Sequence, residues 1–94
     1  MNSIIQQDKS CYVCGSRSNL ELHHCIYGMG KRKLADKYGL TIYLCHKHHT
    51  GSDSAIHFNK PLDNLVKELA QTKAMNYYNW TIEDWMKIFR RNYV

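Results

Sequence analysis

The hydrophobic positions in the first half of the chain mark two short extended segments. Leucines at positions 20 and 22 alternate with Glu21 and His23, so residues 20–25 are predicted to form a strand. Residues 40–44 (LTIYL) are apolar and β-branched, which predicts a second strand and hence a hairpin. The connecting residues 28–39 are basic and contain glycine, and we predict a flexible loop with one helical turn.

The second half of the chain has the spacing of helices. Residues 45–49 (CHKHH) are predicted to enter a short helix. Pro61 suits the first turn of a longer helix that reaches about Tyr77. Its apolar positions recur every three or four residues, at Leu62, Leu65, Val66 and Leu69.

A last helix is predicted after Thr81, which suits an N-cap. Asp84 stands where a capping box usually has Glu. Ile82, Trp85 and Phe89 would form its apolar face. The predicted fold is therefore α+β, with a hairpin and a short helix followed by additional C-terminal helices.

The length of 94 residues predicts a single small domain, residues 1–94, and a domain of this size usually needs a staple. The N-terminus lacks the apolar core of a secretion signal, and no run is long and apolar enough to cross a membrane. We therefore expect a cytoplasmic protein without a membrane partner. Thiols stay reduced there, and paired cysteines more often bind metal than each other.

Two closely spaced ligand pairs predict a structural zinc ion. Cys11 and Cys14 form a C-x2-C pair, and Cys45 and His48 form a C-x2-H pair. Thiolate and imidazole are the ligands that zinc prefers. Cys25 is interpreted as a small core residue. His46 is an alternative to His48, but it lies too close to Cys45 in the sequence to share an ion with it easily.

The remaining histidines suggest phosphodiester hydrolysis. His23 and His24 are neighbours at the end of a strand, so they point to opposite faces and could serve different functions. One of the pair could be a general base, with a pKa near the working pH. The other, together with His49, could hold a metal ion, and His57 follows eight residues later.

The chain has a net charge of +5, which favours phosphate backbones as partners. Lys31, Arg32 and Lys33 lie in the segment that leaves the first strand, and we expect them to contact DNA. The alternative is a solvated basic segment without a ligand.

The motifs ELHHCIYG and, about twenty residues later, YLCHKHH resemble the HNH endonucleases, also called ββα-metal nucleases. The resemblance covers roughly residues 11–58 and is similar in style to the zinc-bound subset found among small phage proteins, some linked to recombination. It implies a zinc-stapled ββα-metal core over residues 11–58, with residues 59–94 as a helical cap. For a phage protein the compartment would be the cytoplasm of the bacterial host.

The resemblance implies a role for each matching residue. His23 takes a metal-ligand position, His24 the general-base position and His49 the last metal-ligand position. The structural zinc positions fall on Cys11, Cys14, Cys45 and His48. The family's catalytic ion is a divalent cation such as Mg²⁺ or Mn²⁺, and cleavage leaves 5′-phosphate and 3′-hydroxyl ends.

Two positions depart from the family pattern. Leu40 stands where the family has its middle Asn, so the residue that orients His24 is unassigned, and a backbone carbonyl could take that role. The further metal ligand is His57 or Asp53. His57 lies farther from His49 than the usual single helical turn, whereas Asp53 has the usual spacing.

The sequence therefore predicts a metal-dependent DNA endonuclease. The alternative is a zinc-containing DNA-binding or adaptor module without catalytic activity. A third interpretation is a protein that recruits or blocks another factor through its C-terminal helices. A homodimer, or a partner in recombination or packaging, is compatible with each of them.

Overall fold

The structure is a computed structural model that describes residues 2–94. Its elements are, in chain order, β1 (Leu20–His24), α1 (Lys31–Tyr38), β2 (Thr41–Cys45), α2 (His46–His49), a 3₁₀ turn (Ile56–Phe58), α3 (Lys60–Tyr78) and α4 (Ile82–Phe89). Within the described residues, the two strands form one antiparallel hairpin and four α-helices surround it. The α+β fold class predicted from the sequence is confirmed.

The hairpin register determines which residues can meet at each of its ends. Leu20 lies opposite Cys45, and His24 lies opposite Thr41. Helix α2 begins directly after β2 and packs back against β1, so its last residue returns toward the middle of the hairpin. This reversal brings His49, the last residue of α2, close to His23, although Cys45 and His23 lie toward opposite ends of the hairpin.

Helix α1 replaces the flexible loop predicted for residues 28–39. Its ends are set by Gly30 and Gly39, both in the left-handed conformation, and the Gly39 N–H caps the helix by bonding the Ala35 and Asp36 carbonyls. Ala35 is the fully buried residue of this helix. The prediction was wrong because the segment has little apolar periodicity, and its helix depends on glycine caps and one alanine contact.

Residues 2–6 lie along the segment that contains Gly39 and β2. The Ile4 N–H donates to the Gly39 carbonyl at 2.9 Å, and the Tyr43 N–H donates to the Gln6 side-chain oxygen at 2.7 Å. A Cβ at position 39 would lie 2.6 Å from the Asn2 carbonyl oxygen. Glycine is therefore required there both for its positive φ of 74° and for this close approach.

The C-terminal helices join the hydrophobic core through small and aromatic side chains, with α3 against the 3₁₀ turn and α4, and α4 against α1. Val66, Ala70 and Ala74 form the buried face of α3, whereas Leu65 is 64% exposed. The prediction that Leu65 belongs to the buried face of α3 is thus wrong. The face is formed partly by alanines, which allow a closer helix approach than leucines would. The Asn59 side chain caps α3 by accepting from the Leu62 N–H.

Helix α4 begins with the predicted capping box between Thr81 and Asp84. Trp85 and Phe89 are fully buried and stack with ring centroids 4.0 Å apart. Ile82 is 45% exposed and does not belong to the apolar face, which corrects the prediction. Ile82 is the first residue of α4, and its side chain is partly exposed to solvent.

The last residues of the chain return to α3. Buried Gln71 donates to the Asn92 side chain at 2.8 Å and accepts from the Tyr93 N–H at 2.6 Å. The Trp85 ring nitrogen donates to the Arg91 carbonyl at 2.7 Å. In the described part of the chain, no helix combines the length and the apolar character needed to cross a membrane.

Candidate metal centres and the adjoining cleft

A tight turn at residues 11–16 holds the first cysteine pair. The Gly15 N–H donates to the Cys11 carbonyl at 2.8 Å, and the Cys11 N–H donates to the Ser16 carbonyl at 2.7 Å. The Tyr12 N–H donates to the Tyr43 carbonyl at 2.8 Å, which attaches the turn to β2. Both cysteines therefore lie next to the end of β2.

The structure brings together the four residues of the predicted zinc set. The His48 Nδ1 atom lies 3.3 Å from the Cys45 Sγ atom and 3.7 Å from the Cys11 Sγ atom. The Cys14 and Cys45 Sγ atoms lie 3.8 Å apart. Ligand atoms around a tetrahedral zinc ion are separated by about 3.5–3.8 Å. This Cys3His cluster could therefore hold a structural metal ion such as zinc.

The electrostatics of the cluster also suit a cation. Burial raises the pKa of the Cys11 thiol, but hydrogen bonds from the Cys45, Cys14 and Val13 backbone outweigh burial and lower that pKa to about 6. The thiolate, which is the form that binds metal, is thereby favoured. Burial and the neighbouring thiols raise the pKa of Cys45, an effect that a bound dication would reverse.

The other two candidates for this site lie elsewhere. Cys25 is fully buried outside the cluster, as a core residue, and burial raises the pKa of its thiol. The His46 ring faces Glu21 and is also outside the cluster, so His48 alone supplies the imidazole.

Three histidines from separate elements form a second cluster. His23 is the penultimate residue of β1, His49 ends α2 and His57 lies in the 3₁₀ turn, and each offers a nitrogen within 4.8 Å of the others. The Nε2 atoms of His49 and His57 are 3.1 Å apart. Asp53, the competitor for the third position, is exposed and outside this cluster. The loop before the 3₁₀ turn explains the long spacing between His49 and His57.

The second cluster fits a divalent cation. The Nε2 atom of His23 is inaccessible to solvent and has no hydrogen-bond partner among residues 2–94, although buried polar atoms are nearly always paired. Burial, together with His49 and His57, lowers the pKa of His23 to about 3. Burial also lowers the pKa of His57, with Asp63 opposing the change. Neutral imidazole is the form that binds metal.

Glu21 supports this cluster and was missed by the sequence analysis. One of its carboxylate oxygens accepts from His49 Nδ1 at 2.7 Å, and the other accepts from His46 Nδ1 at 3.1 Å. These bonds lower the pKa of Glu21. A carboxylate on Nδ1 fixes the tautomer that leaves His49 Nε2 free to bind metal. The position two residues before His23, on the same strand face, was the available indication.

His24 points away from the three-histidine cluster but shares a cleft with it. The cleft has a volume of about 280 Å³, and its lining includes His23, His24, Arg32 and His57. His24 Nε2 lies 3.6 Å from an Asp36 carboxylate oxygen. Leu40, at the position of the family's Asn, is fully buried in the core. The Asp36 carboxylate is thus a polar group beside His24.

The three basic residues at positions 31–33 form the first turn of α1. Arg32 lines the cleft next to His24, and Lys33 lines the adjoining surface together with Arg32. The preceding Gly28, Met29 and Gly30 all have positive φ, which turns the chain sharply away from β1. The helix therefore presents its cations at one side of the cleft.

Comparisons of the chain with protein-family models, curated proteins and solved structures found no match. The functional interpretation therefore depends on the geometry of the two clusters and the cleft.

Zinc removal tests the Cys3His cluster. Cys14→Ser should release the metal and unfold the chain, because a structural zinc site contributes on the order of 10 kcal/mol to folding. Circular dichroism and metal analysis would measure both effects. Cys25→Ala is the matched control, since Cys25 is buried outside the cluster. Zinc retention by a folded Cys14→Ser protein would contradict the assignment.

His23 should make stability depend on pH. Its folded-state pKa of about 3 lies below its ordinary value of 6.5, so between these values the unfolded chain binds a proton that the folded chain excludes. The free energy of unfolding therefore falls as the pH falls through this range. We expect His23→Gln to reduce the loss between about pH 7 and about pH 5.5 by about 1 kcal/mol. Urea unfolding with one equivalent of zinc per chain, enough for the Cys3His cluster alone, measures it, and an unchanged loss would refute the prediction.

Proposed function

We propose that this chain is a metal-dependent DNA endonuclease with a ββα-metal core of the HNH type. The observation that carries the proposal is the cluster of His23, His49 and His57, which opens together with His24 on one cleft. The hairpin and α2 supply two of the three ligands in the order that the family pattern implies. The four-ligand cluster beside them would hold the structural zinc ion.

Different residues of the chain would have different roles in phosphodiester hydrolysis. His23, His49 and His57 would hold a divalent cation such as Mg²⁺ or Mn²⁺, with Glu21 orienting His49. When bound, this cation neutralises charge on the scissile phosphate and on the departing 3′ oxygen.

His24 is the proposed general base. It takes a proton from a water molecule whose oxygen attacks phosphorus, and the bond from phosphorus to the 3′ oxygen breaks. The 3′ oxygen leaves as a hydroxyl after it takes up a proton, and the phosphate remains on the 5′ end. Asp36 lies beside His24 and would stabilise the imidazolium that forms in this step.

Arg32 would hold the DNA backbone at the entrance to the cleft. Its guanidinium lies on the side of the cleft where His24 opens, and Lys31 and Lys33 flank it on the same helical turn. An arginine fork matches the geometry of a phosphate group. The substrate would thus be held by its backbone, which agrees with the net charge of +5.

The alternative is a zinc-containing DNA-binding or adaptor module without catalysis. It is favoured by Leu40, whose buried apolar side chain cannot orient His24 as the family's Asn would. This alternative predicts the same zinc ion and the same contribution of Arg32 to DNA binding, but no cleavage.

Plasmid nicking tests the proposed activity. Supercoiled plasmid is incubated with zinc-loaded protein with and without Mg²⁺ or Mn²⁺, and we expect metal-dependent nicking. His24→Ala should lower the rate by about 10²- to 10⁴-fold, because it removes the base and leaves the metal ligands in place.

Asp53→Ala is the control variant, since Asp53 is exposed and lies outside both clusters. Its nicking rate should equal that of the wild type. Absence of cleavage by zinc-loaded wild type with every metal tested would favour the non-catalytic module.

Salt dependence of DNA binding tests Arg32 separately from catalysis. In the His24→Ala background, Arg32→Gln should weaken binding and reduce the slope of log affinity against log salt by about 0.9, the value for one phosphate contact on duplex DNA. Fluorescence anisotropy at several salt concentrations measures the slope. Lys73→Gln, at an exposed position of α3, is the charge-matched control. An equal slope for both variants would exclude a specific contact by Arg32.

A further inference from the structure

Helix α3 carries a buried carboxylate behind the three-histidine cluster. Asp63 is only 8% exposed, and one of its oxygens is inaccessible to solvent and has no hydrogen-bond partner in the described part of the chain. Its other oxygen contacts the Tyr27 hydroxyl and the Lys67 ammonium, both at 2.9 Å. A buried, half-satisfied charge destabilises a small protein unless it has a further use.

Tyr27 connects this carboxylate to two of the histidines. Its ring centroid lies 5.5 Å from that of His57 and 6.0 Å from that of His23. Its hydroxyl donates to Asp63, which fixes the hydroxyl end of the ring. Asp63 and His57 also line a common cleft of about 320 Å³. A contact path therefore runs from α3 through Tyr27 to the metal-binding rings.

The charges around the three-histidine cluster suggest a role for Asp63 besides its ion pair with Lys67. Three neutral imidazoles carry no charge that could offset a divalent cation. Glu21 supplies one carboxylate behind His49, on the hairpin side. Asp63 is the carboxylate on the side of α3, next to His57. A carboxylate that accepts from a metal-binding histidine, as Glu21 does, raises ligand basicity and metal affinity, whereas Asp63 would act through its charge and through Tyr27.

We propose that Asp63 is a positioning residue of the divalent-cation site, which holds the His23 and His57 rings through Tyr27 and offsets the charge of the cation. This inference rests on the proposed function, because the cation site is part of that proposal. With this role for Asp63, helix α3, which belongs to the C-terminal segment 59–94, contributes to the cation site.

The Asp63–Lys67 pair also has a purely structural interpretation, as an ion pair between residues four apart on one helix. The two interpretations predict different effects on cation affinity when Lys67 is removed. If the pair is only structural, removal of either partner should have similar consequences. If Asp63 supports the cation, removal of Lys67 leaves more negative charge beside the site. Lys67→Met keeps a chain that can cover the Tyr27 ring, which the Lys67 ammonium approaches at 4.6 Å.

A Co²⁺ titration of zinc-loaded protein tests the inference without DNA. Cobalt bound by histidine is detected by its visible absorption, and the absence of a thiolate charge-transfer band shows that the Cys3His cluster keeps its zinc. We expect Asp63→Asn to weaken Co²⁺ binding by about 10-fold, the lower end of the range for carboxylates bonded directly to a ligand histidine, because Asp63 acts through Tyr27 and its charge. Tyr27→Phe should weaken it less, because only the hydroxyl contact is lost. Lys67→Met should leave the affinity equal to or higher than that of the wild type.

Each result bears directly on the proposal. Asp63→Glu, which restores the charge, should recover part of the affinity lost in Asp63→Asn. Equal Co²⁺ affinity in wild type and folded Asp63→Asn would overturn the role of Asp63 while leaving the cation site intact. Equal weakening by Asp63→Asn and Lys67→Met would show a structural ion pair and would also overturn it. A wild type that binds no second ion would overturn the inference together with the site on which it rests.

Discussion

Helix α2 has four residues, too few to be stable through its own hydrogen bonds, so its orientation depends on what holds its ends. Cys45, just before it, and His48, within it, both belong to the Cys3His cluster. His49 directly follows His48 and points its ring at His23 and His57. A metal ion in the first cluster would therefore also fix the direction of a ligand in the second.

The residues that the sequence analysis identified correctly share a local pattern. The C-x2-C and C-x2-H pairs, the capping box at Thr81 and the α+β order follow from spacings within a few residues. The misses came from contacts between distant segments. Helix α1 depends on glycine caps and on one buried alanine, neither of which produces a strong periodicity. Leu65 and Ile82 are apolar but exposed, because the packing of α3 and α4 selects different faces.

Acidic residues were the main omission at the candidate site. Glu21 lies between Leu20 and Leu22, and Asp63 follows Leu62, so both occupy polar positions of amphipathic elements, where a carboxylate usually indicates a solvated surface. Their relation to the histidines depends on the fold: Glu21 meets His49 across 28 positions, and Asp63 meets Tyr27 across 36. The choice between His57 and Asp53 was equally non-local. It is decided by the loop that precedes the 3₁₀ turn and not by helical spacing from His49.

The chain tolerates changes in length very unevenly. A residue inserted or deleted between Cys45 and His49 would rotate the His49 ring by about 100° around the α2 axis, since a helix has about 3.6 residues per turn. Residues 50–54, in contrast, form a largely exposed connection to the 3₁₀ turn that carries His57. Evolutionary insertions and deletions, or loops exchanged by design, should accumulate in that connection, while the CHKHH segment keeps its length in every chain that retains both side-chain clusters.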